Sequence, residues 1–282
     1  MKFEKWQALG NDYLILEQER LPWELTGARV EWLCDQHFGV GSDGVLLLSR
    51  SEDPEFVARL RIFNPDGSEA ELSGNGAREA ILYLRRHGWT DQDEFAISTV
   101  AGPIRPTITG ELTCSVDMGR AATTSKDYPS GPADGRGSLE ADGREWEFQH
   151  VSVGNPQCAI VVPAEELDEL DLGAIGPGIE GHELFPNRTN VSFVAIDGSK
   201  VRARIFERGV GETLSSGTGA SGAAIAAFLR GSASPIVVEL EGGELEVVIA
   251  EDLSVRLNGW AEPVFSGELS PELLQALAEL DG

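Results

Sequence analysis

The chain has 282 residues, 41% hydrophobic and 24% charged, which is enough apolar content for packed cores and argues against disorder. Its 47 acidic residues outweigh 22 basic ones, and only Lys2, Lys5, Lys126 and Lys200 are lysines. The resulting charge of −25 excludes polyanionic partners such as nucleic acid or anionic membrane, and reads as a heavily solvated surface or as adaptation to high salt.

No apolar run approaches a membrane span, and MKFEKWQALG lacks a signal-peptide pattern, so a cytoplasmic protein is expected. Cys34, Cys114 and Cys158 form neither a disulfide framework nor a metal knuckle, and His37, His87, His150 and His182 show no ligand spacing. No metal is expected.

In chain order, strand patterning appears at YLILEQ (13–18), VLLLS (45–49), VARLRIF (57–63), FAISTV (95–100) and LTCSVDMG (112–119). It resumes at CAIVV (158–162), NVSFVAI (190–196), VRARIF (201–206), PIVVELEG (235–242), LEVVIAE (245–251) and LSVRLNG (253–259). Helical character follows each S-G-x-G, in AREAILYLRRHG (77–88) and ASGAAIAAFLRG (220–231), each ending at a glycine preceded by basic residues. Further helices are expected at 28–37 and 270–280. Small side chains over 220–227 suit a helix buried on most sides.

The chain also repeats itself. Residues 61–80 and 204–223 share R-I-F, then a glutamate, then S-G-x-G-A-x-x-A, so that Phe63 and Phe206, Glu69 and Glu212, and Ser73 and Ser216 all lie 143 apart. Gly10-Asn11 recurs as Gly154-Asn155 at an offset of 144. The expected fold is therefore α+β, with two pseudo-symmetric halves, each a mostly antiparallel curved sheet wrapped around a central helix. The expected N-terminal half-domain is 1–118 plus about 262–282 and the C-terminal one is 119–261, with the active site in the cleft between them. Strand character fades at 118–122, where MGRAATTSKDYPSGPADG begins.

Glycines at the two helix starts allow close backbone approach, and a helix start offers unpaired N–H groups and partial positive charge to a carboxylate or oxyanion. Ser73 and Ser216 could serve there simply as N-caps, which serine favours, but repetition of the whole motif points to a shared function. Asn11, Asn64, Asn155 and Asn190 can donate and accept, as ammonium and carboxylate groups require, although a loop asparagine more often closes an Asx-turn. Glu207-Arg208 sets an anion beside a forked cation, matching the two ends of a zwitterion.

At these residues the chain resembles the diaminopimelate epimerase family. The resemblance covers LGNDY (9–13), HFGVGSDG (37–44), RIFNPDGSEAELSGNGAR (61–78), TVAG (99–102), GNPQC (154–158), TNVSF (189–193) and ERGVGETLSSGTGA (207–220). It implies two pseudo-symmetric halves and LL-/meso-diaminopimelate interconversion by two-base α-proton transfer, without pyridoxal phosphate, metal or other cofactor. It implies a small-molecule amino-acid partner and a homodimer, though no sequence feature marks a dimer surface. In that family a cysteine opens each glycine turn, and the two sulfurs remove and return the proton. Ser73 and Ser216 stand at those positions. Asn11, Asn64, Asn155, Asn190, Glu207 and Arg208 match positions that contact the substrate, and Gly74-Asn75 and Gly217-Thr218 match the turns that receive its α-carboxylate.

The serines are the main departure, accompanied by Gln157 where the family usually has histidine, by Ser221, and by Glu79 after Arg78. A serine alkoxide forms far less readily than a thiolate and needs a partner base, and the repeated segments hold no histidine. Glu69 and Glu212 are symmetric candidates for that base or for loop anchors. Three origins stay open: deliberate Cys→Ser replacement, a natural paralogue with altered catalysis, or an epimerase with unconventional bases. The rival functions are a hydroxyproline-type dehydratase or isomerase, and a non-catalytic diaminopimelate-binding protein.

Overall fold

The computed structural model describes residues 1–280. In chain order the first strands are β1 (Lys2–Ala8), β2 (Asn11–Glu17), β3 (Val45–Arg50), β4 (Ala58–Phe63), β5 (Glu69–Ala70), β6 (Ile97–Thr99), β7 (Gly102–Ile104), β8 (Pro106–Gly110) and β9 (Thr113–Arg120). They are followed by β10 (Arg136–Ala141), β11 (Arg144–Ser152), β12 (Pro156–Val161), β13 (Asn190–Asp197), β14 (Lys200–Glu207), β15 (Gly211–Thr213), β16 (Ile236–Leu240), β17 (Gly243–Ile249), β18 (Ser254–Trp260) and β19 (Glu262–Glu268). The helices are α1 (Gly27–Cys34), α2 (Gly74–Arg86), α3 (Ala164–Leu167), α4 (Leu172–Glu180), α5 (Gly217–Phe228) and α6 (Pro271–Glu279). None is long and apolar enough to cross a membrane.

The chain forms two compact units, Met1–Val116 with the chain from Trp260 onward, and Asp117–Gly259. In the first, the strand order is β19-β1-β2-β3-β4-β6-β7, with β5 on β4. In the second it is β10-β11-β12-β13-β14-β16-β17-β18-β9, with β15 on β14. Pairing is antiparallel except at β2/β3 and β4/β6 in one unit and at β12/β13 and β14/β16 in the other. A parallel pair needs a crossover, and helices supply it each time: α1, α2, α3 with α4, and α5. The repeated sequence thus corresponds to a repeated topology.

Both central helices start with a serine in extended conformation whose Oγ accepts from the N–H three residues on, Ser73 from Gly76 and Ser216 from Gly219. Helix α2 is buried continuously from Asn75 to Leu84 and packs on β1, β2 and β3. Helix α5 is ringed by β11, β12, β13, β14, β16 and β17, which is why most of its residues are glycine or alanine. A Cβ on Gly219 would lie 2.7 Å from Ile205 Cδ1, and one on Gly76 would lie 2.9 Å from Leu46 Cδ2. Around these helices the cores are filled by large side chains such as Trp6, Leu14, Phe148 and Phe193, each contributing about 1.5–3 kcal/mol by burial.

The first unit is closed by the late strand β19, which pairs antiparallel with β1 from Lys2↔Glu268 to Gln7↔Glu262. Helix α6 is tied to α1 by Arg29, whose guanidinium donates to the carbonyls of Leu277 and Leu280 at 2.7 and 2.8 Å.

The structure adds elements that the sequence reading did not contain. Strand β1 has a register shift between Lys5 and Trp6, which breaks the period-two pattern. Strands β10 and β11 form a hairpin through Asp142 and Gly143, both at positive φ. Helix α4 forms despite three glycines and Pro177, because Leu172, Ile175 and Ile179 bury one face in the second unit's core. Where strand character was expected to fade, β9 runs on to Arg120.

Candidate active site

At the start of α2, Ser73 is half-buried, and its Oγ accepts from Gly76 N–H and from the Tyr13 hydroxyl, both at 3.1 Å. Tyr13 reaches it from β2, which brings neighbouring Asn11 alongside: Asn75 Nδ2 donates to Asn11 Oδ1 at 3.3 Å. Asn11 Nδ2 in turn donates to Asp43 Oδ2 at 3.0 Å, and Lys5 Nζ lies 3.1 Å from Asp12. Behind Asn75, the fully buried Arg78 donates to Asn75 Oδ1. Asn64 is placed differently. Its amide donates to Ser68 Oγ at 3.0 Å and closes the turn after β4.

At the start of α5, Ser216 is buried; its Oγ accepts from Gly219 N–H at 3.2 Å and donates to Glu207 Oε2 at 3.0 Å. Glu207 Oε1 accepts from Thr213 Oγ1 at 2.9 Å. Asn155 Nδ2 donates to Thr218 Oγ1 at 3.2 Å, and Asn155 Oδ1 accepts from Gln157 Nε2 at 2.7 Å. The Asn155–Thr218 link is the counterpart of Asn11–Asn75, so each unit ties its Gly-Asn turn to the second residue of its central helix. Gly74 and Gly217 open those helices, whose first turns present main-chain N–H groups and partial positive charge to an anion.

Asn190 is buried, with Nδ2 donating to Pro156 O and Oδ1 accepting from Arg208 N–H, both at 2.9 Å. It anchors the Arg208 main chain. The Arg208 side chain is exposed, with Nη1 donating to Asn187 O at 3.0 Å.

The structure decides between the two readings of the symmetric glutamates. Arg61 grips Glu69 with two hydrogen bonds of 2.8 Å, and Arg204 grips Glu212 at 2.9 and 2.7 Å. The Arg61 bonds hold the Glu69 carboxyl below the usual carboxylate range. Both glutamates anchor the loops entering α2 and α5 through these arginines. The carboxylate that reaches Ser216 is Glu207, which the sequence reading had assigned to substrate contact. The tight β14–β15 hairpin, with Glu207 paired to Gly211, folds it back onto Thr213 and Ser216, and R-G-V-G after Glu207 was the available signal. Tyr13 was missed altogether.

Two further groups bear on the chemistry. The buried Glu79 carboxyl is pushed well above the ordinary range by loss of solvent, against the pull of neighbouring Arg78. The three cysteines are all buried, and burial raises each thiol, Cys114 to about 12, so none offers a ready thiolate.

A sequence profile described as diaminopimelate epimerase matches residues 3–124 and 149–259. A Synechococcus protein named diaminopimelate epimerase is 41% identical over 279 residues, covering 95% of this chain and 97% of that protein. Diaminopimelate epimerase 2 of Nostoc is 38% identical over 280 residues, 97% of each chain. Among solved structures, the Bacillus anthracis phenazine biosynthesis protein of the PhzF family superposes with a TM-score of 0.67 at 19% identity, over 96% of this chain and 99% of that one. An Agrobacterium vitis hydroxyproline epimerase with bound trans-4-hydroxy-L-proline superposes with a TM-score of 0.61 at 16% identity, over 99% and 98%. The solved neighbours speak to the fold alone.

Proposed function

The chain belongs to the diaminopimelate epimerase family, and on that premise we propose that it interconverts LL- and meso-diaminopimelate with Ser216 and Ser73 as the proton-transfer groups. The substrate's α-carboxylate docks on the first turns of α2 and α5, where main-chain N–H groups and partial positive charge stabilise the negative charge that spreads into it as the α-proton leaves. Arg208 takes the distal carboxylate.

The observation that carries the reading is the 3.0 Å hydrogen bond from Ser216 Oγ to Glu207. Ser216 need not exist as a free alkoxide. As Oγ takes the α-proton and the Cα–H bond breaks, the proton already on Oγ passes to Glu207 Oε2. On the other face, Ser73 Oγ gives its proton to Cα and takes one from the Tyr13 hydroxyl 3.1 Å away, and exchange with water then returns a proton to Tyr13 and removes the one on Glu207. The ultimate proton acceptor is then a carboxylate, as a class a weaker base than a thiolate, so turnover is expected to be slow relative to a two-cysteine enzyme.

The test is α-hydrogen exchange of diaminopimelate in D₂O, read by mass. We expect slow exchange above background, abolished by Ser216→Ala and raised by Ser73→Cys combined with Ser216→Cys. Exchange indistinguishable from background in both the parent and the double-cysteine chain would overturn the assignment.

A further inference from the structure

Resting on that reading, we infer that Glu180 is a positioning residue: by holding the turn that carries Arg208, it fixes where the guanidinium stands and so sets the preference for a substrate bearing a second carboxylate. Glu180 ends α4 and is 3% exposed. Its Oε1 accepts from Gly209 N–H at 2.7 Å and lies 2.6 Å from Arg188 Nη2. A carboxylate so deeply buried is costly without partners, and these two provide them.

Arg188 itself sits at φ +62, a left-handed conformation that a non-glycine residue keeps only where its surroundings impose it. Here the hydrogen bonds from Arg188 N–H to Phe185 O at 2.8 Å and from Thr189 N–H to Glu180 O at 3.1 Å impose it. The resulting chain reversal aims two neighbours of Arg188 at the same turn. Asn187 O accepts from Arg208 Nη1 at 3.0 Å, and Asn190 Oδ1 accepts from Arg208 N–H at 2.9 Å. Asn187 is steadied in turn by its Nδ2 donating to the buried Asp127 at 2.8 Å.

Glu207-Arg208-Gly209 is therefore gripped at the Arg208 main chain, the Gly209 main chain and the guanidinium, all by residues distant in sequence. This grip is additional to what closes the turn, because the Glu207 turn and its counterpart at Asn64 are both closed by their own residues: Val210 N–H donates to Glu207 O at 3.0 Å, and Gly67 N–H to Asn64 O at 3.0 Å. A turn that needed only to reverse the chain could be built that way. Arg208 spends one of its five N–H donors on Asn187, and the rest of the fork can meet a carboxylate.

The experiment compares calorimetric affinities of the full chain for meso-diaminopimelate and for L-lysine, which lacks only the distal carboxylate. Glu180→Ala should weaken diaminopimelate binding at least about tenfold, as small misplacements of a binding group do, while leaving lysine binding unchanged. Glu180→Gln keeps an oxygen for Gly209 N–H and should recover most of the preference. If Glu180→Ala melts early by circular dichroism, Glu180→Gln and Arg188→Ala decide the matter, with Arg188→Ala expected to lose preference. A preference for diaminopimelate over lysine that survives every folded variant, or equal weakening of both ligands, overturns this proposal alone. A parent chain that shows no preference overturns the functional reading and this proposal with it.

Discussion

The two units share a strand order, a pair of parallel crossovers, a gripped glutamate before each central helix and a serine cap at its start, yet they differ wherever chemistry would be done. Tyr13 in one unit answers to Gln157 in the other, Asn64 to Glu207, Arg78 to Ser221 and Glu79 to Gly222. As a result Ser73 accepts from a phenol while Ser216 donates to a carboxylate. Duplication preserved what the backbone needs, namely caps, crossovers and loop anchors. It let the side chains that set proton affinity drift apart, so the two hydroxyls are unequal before any substrate arrives.

The sharpest way to break this comparison is to remove the inequality. Glu207→Gln should lower diaminopimelate α-hydrogen exchange about 10²-fold or more, the scale of a lost general base, whereas Tyr13→Phe should cost only about tenfold. Equal losses in deuterium incorporation would mean that the two serines are equivalent after all.

The loop anchors should also separate the units, through stability rather than rate. Arg61 serves Glu69, but Arg204 serves Glu212 and also donates to the carbonyls of Leu167 and Leu170 at 3.0 and 2.8 Å. Arg204→Ala should therefore cost about 2 kcal/mol in urea unfolding, against under about 1 kcal/mol for Arg61→Ala, since extra partly buried acceptors are left unpaired.

The smallest effect concerns Glu79. Its counterpart is Gly222, where an added Cβ would meet Gln157 Cβ at 2.8 Å, so the second unit fills with an amide the space the first fills with an acid. Because burial raises Glu79 above its unfolded value, the folded state binds the proton more tightly. Stability from that proton is complete below about pH 4.3 and is lost as pH rises toward the folded value. Glu79→Gln removes the dependence, and its melting temperature should exceed the parent's by about 2–4 °C at pH 8 but not at pH 4. A constant offset across pH would show that Glu79 is not protonated in the fold.

How much of this was readable beforehand follows from what each feature depends on. The fold class followed from the S-G-x-G repeat and from runs such as VLLLS and NVSFVAI, because capping and alternation are local. Strand β1 escaped because the shift at Lys5/Trp6 hides its alternation, and α4 because its core contacts outweigh glycine and proline propensity. The β10–β11 hairpin was legible in Asp142-Gly143, a favoured two-residue turn, and was overlooked. Around the candidate site, residue types were visible but their partners were not. That Glu207 turns onto Ser216 was signalled only by the glycines of R-G-V-G, and that Asn190 serves the Arg208 main chain depends on a strand pair that no spacing rule reveals.

The closure of the first unit by β19 and by Arg29's grip on α6 also dictates an order of assembly. Asp117–Gly259 is one uninterrupted stretch, whereas the unit holding Tyr13 and Ser73 awaits its edge strand until after Trp260 has been made. During synthesis on the ribosome, the later-encoded half can finish folding while the earlier-encoded half still lacks a border. A gene truncated just before β19 would therefore yield one sound half and one unfinished half.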